Sequence, residues 1–125
     1  DGETVKLGAS EPDEVRARLR GLEQAAPALR EAIDRLGAVV AEIARRKAQK
    51  GTDEEEREKI TSDQERIRAN LQSVGAGSDL GRRYLEMLRN QENRLGELER
   101  ADRAASEAIA AGRRDAAAIV KTLKF

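Results

Sequence analysis

Steps of four and three alternate without interruption through the last third of the chain, at Leu88, Gln91, Leu95, Leu98, Asp102, Ala105, Ile109, Gly112, Ala116, Ile119 and Leu123. Such a repeat keeps one narrow stripe facing a partner helix turn after turn, which is the seam of a coiled coil. A second stripe precedes it at Leu29, Ile33, Leu36, Val40 and Ile43, so the chain can supply its own partner. Continued forward, that rhythm lands on Lys47 and Lys50, whose stems can be buried while the ammonium stays in water. The apolar set then resumes at Ile60, Gln64, Ile67, Leu71 and Val74, three residues out of step. A shift of three reads either as a stammer in a continuous helix or as a true break. In the second case Gly51 ends one helix, and Thr52 with Glu55 opens the next as a capping box.

Local signals place the ends of these elements. The pair Asp1-Gly2, followed by Thr4, Val5, Lys6 and Leu7, reads as a short strand or extended tail over residues 1–9, the end of a β domain lying upstream. Ser10, Pro12 and Asp13 offer a cap and a first turn suited to the helix dipole, giving a short helix and connection over 10–26 with Val15, Leu19 and Leu22 on its apolar side. Pro27 lacks the amide donor that only a first helical turn can spare, so a helix restart is expected there. Val74-Gly75-Ala76-Gly77-Ser78-Asp79 gives a glycine to end one helix and a serine to cap the next, a hairpin turn at 75–78.

The expected architecture is therefore all-α, a long antiparallel two-helix coiled-coil hairpin over 27–125. Its arms would hold about 48 and about 45 residues, each ~70 Å long. Near-equal arms favour this hairpin, kinked or interrupted near Gly51, over a compact three-helix bundle. Folding about the turn pairs positions whose numbers sum to about 155: Leu71 with Tyr84, Ile67 with Leu88, Ile60 with Leu95, Ile43 with Gly112, Val40 with Ala116, Leu36 with Ile119 and Ile33 with Leu123. Bulky residues face small ones along the distal stretch, as close helix packing needs. Gln64 meets Gln91, where two amides can satisfy each other and set register. Asp102 falls near Lys50, Asp53 and Arg57, solvated or ion-paired, in the weakest zone of the rod.

The stretch from Asp63 to Leu71, then Ser78-Asp79-Leu80, Arg83-Tyr84-Leu85, Leu88 and Gln91-Glu92, reads as D-Q-x-R-I-R-x-N-L, a glycine-bearing turn, and R-Y-L-x-x-L-x-x-Q-E. It resembles the coiled-coil region of large bacterial proteins carrying the C-terminal domain of mucoidy-inhibitor-like proteins. The resemblance implies a β-rich body, ending in the strand Gly2 to Leu7, that leads into a C-terminal helical hairpin. It covers about thirty residues in the middle of the chain and implies no activity.

Composition narrows the chemistry. With 38% charged residues, one Tyr, one Phe and no Trp in 125 residues, packing falls to Leu, Ile, Val and Ala. Twenty-four basic residues balance 24 acidic ones, and the basic spots Arg45-Arg46-Lys47, Arg82-Arg83 and Arg113-Arg114 lie close to carboxylates, so neither nucleic acid nor an anionic membrane is an expected partner. No apolar run is long enough to cross a bilayer. Without Cys or His, thiolate or imidazole metal sites and histidine acid-base catalysis are excluded. The run Asp53-Glu54-Glu55-Glu56 could attract a hard cation, but consecutive helical carboxylates point in different directions and suit a solvated helix start better. The GAGS turn lacks the lysine and strand of a phosphate loop. No nucleophile has a base near it in sequence, so no catalytic residue, cofactor, metal ligand or small-molecule substrate is expected.

A polar group at the tip, Arg66, Arg68, Asn70, Arg83 and Tyr84, is either a network holding the turn or a recognition surface. The leading expectation is a non-catalytic structural or protein-protein interaction module, a helical arm or spacer of a larger bacterial protein that projects this tip. The alternative is a partner-regulated module that opens near Gly51 and Asp102 to accept another helix. Leu85, Met87, Val39 and Val120 beside the seam widen the apolar stripe enough for two hairpins to associate. No residue pattern points to a compartment.

Overall fold

A computed structural model describes residues 12–123, and the expected extended segment over 1–9 lies outside them. Two helices pack against each other: α1, Pro12–Val74, of 63 residues, and α2, Asp79–Thr122, of 44. The all-α antiparallel hairpin is the observed architecture. Its arms are unequal. The α1 helix is ~95 Å long and outruns α2 by about 20 residues, or ~30 Å.

Two expectations about α1 fail. No restart occurs at Pro27, which lies inside the helix, so residues 12–26 belong to α1 rather than to a separate helix and connection. Proline removes one amide donor and leaves the carbonyl of Glu23 without its helical partner. Both residues are exposed, and water can take that carbonyl. Nor does α1 break at Gly51, where helix is continuous and a Cβ would meet nothing within 4 Å.

The apparent phase shift at Gly51 has a simple origin. Partly or fully buried positions on α1 run Leu29, Ala32, Leu36, Val39, Ile43, Arg46, Lys50, Asp53, Arg57, Ile60, Gln64, Ile67, Leu71, an unbroken 4-3 repeat with no stammer. Ile33 and Val40 are more apolar than or as apolar as their neighbours Ala32 and Val39, yet Ile33 and Val40 stand about half exposed. Likewise Arg46, not Lys47, takes the seam position. The frame set by Ile60, Gln64, Ile67 and Leu71 propagates back along a rigid helix, and one-residue differences in hydrophobicity do not reset it.

On α2 the matching repeat runs from Gly81 and Tyr84 through Leu88 to Leu123. Contacts across the hairpin fix the register. Asn70 reaches Tyr84, Gln64 reaches Glu92, Gln91 reaches Asp63 and Lys50 reaches Ser106, all consistent with layers whose numbers sum to 155. A Cβ placed on Gly112 would lie 2.9 Å from Ile43 Cγ1 and 3.8 Å from Val39 Cγ1, so the distal helices approach closely because a glycine faces an isoleucine. The core is a single narrow seam: Ile67 is completely buried, and Leu98, Ala105, Ile109 and Ile119 nearly so.

Candidate functional site: the hairpin tip and the polar seam

The tip is built by a glycine and a serine. Gly75 takes φ +81°, the left-handed conformation that ends a helix, and its amide donates to the Leu71 carbonyl at 2.8 Å. Ser78, extended at φ −76°, ψ 160°, caps α2: its hydroxyl donates to the Gly75 carbonyl (2.8 Å) and accepts from the Gly81 amide (2.9 Å). One hydroxyl thus joins the end of α1 to the start of α2. Gly81 completes the turn, since a Cβ there would sit only 2.0 Å from the Gly75 carbonyl oxygen. Sequence reasoning passed over Gly81. Its signal was a glycine three residues after a helix cap, where a capping-box acid would otherwise serve.

Of the five tip residues singled out, the structure brings two together. Asn70 Nδ2 donates to Tyr84 Oη across the seam at 3.4 Å, a long bond between half-buried groups. Arg66 turns instead to Asp63 on its own helix at 2.9 Å. Arg83 is exposed and makes no side-chain hydrogen bond or ion pair among the described residues. Arg68 lies 3.9 Å from Glu92, across the hairpin. The tip is a turn with dispersed charges rather than one pocketed cluster.

Gln64 and Gln91 share a layer but do not bond to each other. Gln64 Nε2 donates to Glu92 (2.9 Å) and Gln91 Nε2 donates to Asp63 (2.7 Å), so each amide takes the carboxylate beside the opposite glutamine. Carboxylates accept more strongly than amide carbonyls, which explains the preference. Gln91 Oε1 is left buried without a partner. The crossed pattern links four consecutive-register residues, and a slip of one helical turn would break both bonds.

Further down, the two helices differ in character. Leu98, Ala105 and Ile109 of α2 are buried, yet the register sets Arg57, Lys50 and Arg46 of α1 against them. Long side-chain stems cover the apolar wall and carry their charges outward. Lys50 donates to Ser106 (2.7 Å) and lies 3.7 Å from Asp102, which is about half exposed. On the flank Arg94 bridges Glu56, with bonds of 2.6 and 2.9 Å, and Glu97 at 3.0 Å. The Arg94 hydrogen bond holds the Glu56 carboxyl below the usual carboxylate range and raises Arg94 in turn. Glu42 is lowered in the same way by hydrogen bonds from Arg45 and Arg46.

The acidic run over 53–56 is split up. Asp53 accepts from Gln49, Glu54 from Arg57 and Glu56 from Arg94, and no group of three metal-capable side chains converges among the described residues. No described helix is long and apolar enough to cross a membrane. Concave surface follows the open groove between the helices, as at Arg35, Val39, Asp115 and Ile119, or the flank of α1 alone, as at Glu55, Lys59 and Asp63. Neither the family models, nor the curated proteins, nor the solved structures compared with this chain include a match.

Proposed function

We propose that the chain is a non-catalytic helical arm or spacer of a larger bacterial protein of the mucoidy-inhibitor-like kind, holding its Gly75 tip at a fixed distance from its base for contact with a protein partner. The observation that carries this reading is the unbroken 4-3 seam from Ala32 to Leu71, matched layer by layer to Leu123 through Tyr84. A two-helix rod of this length, packed along one narrow seam, is suited to setting a distance. The tip, with Arg66, Asn70, Arg83 and Tyr84, is the surface it would present. Removing residues 46–59 together with 96–109 preserves both heptad phase and pairing while shortening the rod by ~21 Å. In a host carrying this variant in place of the native gene, function should fall to that of a strain lacking the arm; full function with the short rod would sink the spacer reading.

A second reading is a helix-binding module that opens near Gly51 and Asp102. Its support is the charged seam from Arg46 to Arg57, the one stretch where α1 gives no apolar residue to α2. Opening there predicts that amides of 46–57 exchange with solvent faster than those of 60–71, and that Gly51→Ala slows them by about five-fold through its helix propensity of ~1 kcal/mol. Equal protection in the two stretches excludes it.

A further inference from the structure

We infer that α1 carries a second seam, and that it pairs antiparallel with the same segment of a second copy of this chain; the inference builds on the arm reading by naming what the base of the arm binds. Two interlaced 4-3 sets share Leu29, Leu36 and Ile43 on α1. One set, with Ala32 and Val39, faces α2. The other adds Ile33 and Val40, one position round the helix, and continues toward the N-terminus through Ala26, Leu22, Leu19 and Val15.

This second stripe is continuous with the established interface and has nothing described against it. Leu19 is 54% exposed, Leu22 68%, Ile33 52% and Val40 54%. The α2 helix ends at Thr122, opposite Ile33 in the hairpin register, so no described residue lies across from Val15 to Leu22. On α2, Val120 is 48% exposed and lies one position past the seam residue Ile119, as Val40 lies one past Val39. Arg68 and Glu92, each also one past a seam position, form a cross-hairpin ion pair, which shows that such positions on the two helices share one side. Ile33, Val40 and Val120 therefore form one apolar strip at the base, running on into Leu22 and Leu19.

A second copy fits this strip because the strip is complementary to itself when reversed. With a two-fold axis at the level of Gln24, Val15 meets Ile33 of the second copy, Leu19 meets Leu29 and Leu22 meets Ala26, each layer occurring twice and every one apolar. A parallel in-register pair would instead stack Leu22 on Leu22 and Ala26 on Ala26, alternating wide and narrow layers that a straight helix pair cannot both fill. At each end of the antiparallel seam, Val120 covers the layer of Ile33 and Val15 of the second copy. The two copies then extend in opposite directions with their tips far apart.

Sedimentation equilibrium of the full chain tests this directly. The wild type should be a dimer at about 100 µM, and Leu19→Asp/Leu22→Asp should weaken association by ~100-fold or more while leaving helical content intact. Spin labels at Glu23, which flanks this stripe next to the two-fold axis, should report a short distance between copies, and labels at Asp13 one of roughly 33 Å or more, because antiparallel pairing sets Asp13 about 22 residues from its counterpart. A monomeric wild type, a dimer unaffected by the double variant, or a short Asp13 distance would each overturn the inference. Any of these would leave the spacer reading standing, since the shortened rod tests that separately.

Discussion

The tip half of the hairpin and its middle obey the same 4-3 repeat with different chemistry. Near the tip both helices contribute bulk: the register pairs Ile60 with Leu95, Ile67 with Leu88 and Leu71 with Tyr84, and Ile67 is completely buried. In the middle α2 is apolar except at Asp102, and α1 answers with Arg46, Lys50, Asp53 and Arg57. A coiled-coil seam thus needs side chains that cover the partner's apolar atoms, and a lysine or arginine stem does so almost as well as a leucine. The middle keeps the geometry of the tip while giving up part of its burial.

The largest expected effect separates the two halves. Ile67→Ala should lower stability by ~3 to 4 kcal/mol and Leu98→Ala, whose seam neighbour is an arginine stem, by only ~2, read from thermal melting followed by circular dichroism. Equal losses would erase the distinction. Next comes the turn that fixes both halves: Gly81→Ala drives a Cβ into the Gly75 carbonyl and should cost ~2 to 3 kcal/mol, or leave the turn rebuilt and the cap bond from Ser78 lost. A Gly81→Ala hairpin as stable as the wild type would show that this close approach is not required.

Lys50→Leu should sharpen the contrast by making the middle resemble the tip. It gives up bonds to Ser106 and Asp102 that are exposed enough to be worth little, and gains ~1 kcal/mol of apolar burial against Ala105 and its neighbours. Destabilisation by this change would mean that the charged layer is needed for register. The smallest effect is on pH. Glu42 and Glu56 have carboxyls lowered below 4.5 in the folded chain by hydrogen bonds from Arg45 with Arg46 and from Arg94. The unfolded chain therefore binds protons first as pH falls, so this stabilisation is present above about pH 4.5 and is lost below it, through the folded values. Glu56→Gln should flatten the acid limb of a melting-temperature profile slightly; an unchanged acid limb would show that the bridge from Arg94 contributes nothing.

Much of the fold was legible because helical hairpins are written in local signals. The α2 stripe from Leu88 to Leu123, the pairing of numbers summing to about 155 and a hairpin of two packed helices all follow from periodicity and from the glycine and serine between them. The frame of α1 was harder. Leu29, Leu36 and Ile43 belong to both possible sets, and hydrophobicity alone prefers Ile33 to Ala32 and cannot choose between Val39 and Val40. Of the candidate tip residues, Asn70 and Tyr84 meet across the seam; Arg66, although it shares a helix face with Asn70, pairs with Asp63 on its own helix, and Arg83, next to Tyr84 in sequence, faces another direction and is exposed.

Sequence by itself determined the class of object: a 4-3 repeat with little aromatic content and no His or Cys can make a rod and has few other options. Tertiary structure alone decided which of the two α1 stripes faces inward and that the glutamines bond to carboxylates rather than to each other. It also decided that Pro27 and Gly51 interrupt nothing. In each case the local preference was worth about a kilocalorie or a few, while the packed seam holds a helix rigid over many layers and sums a contribution from every one.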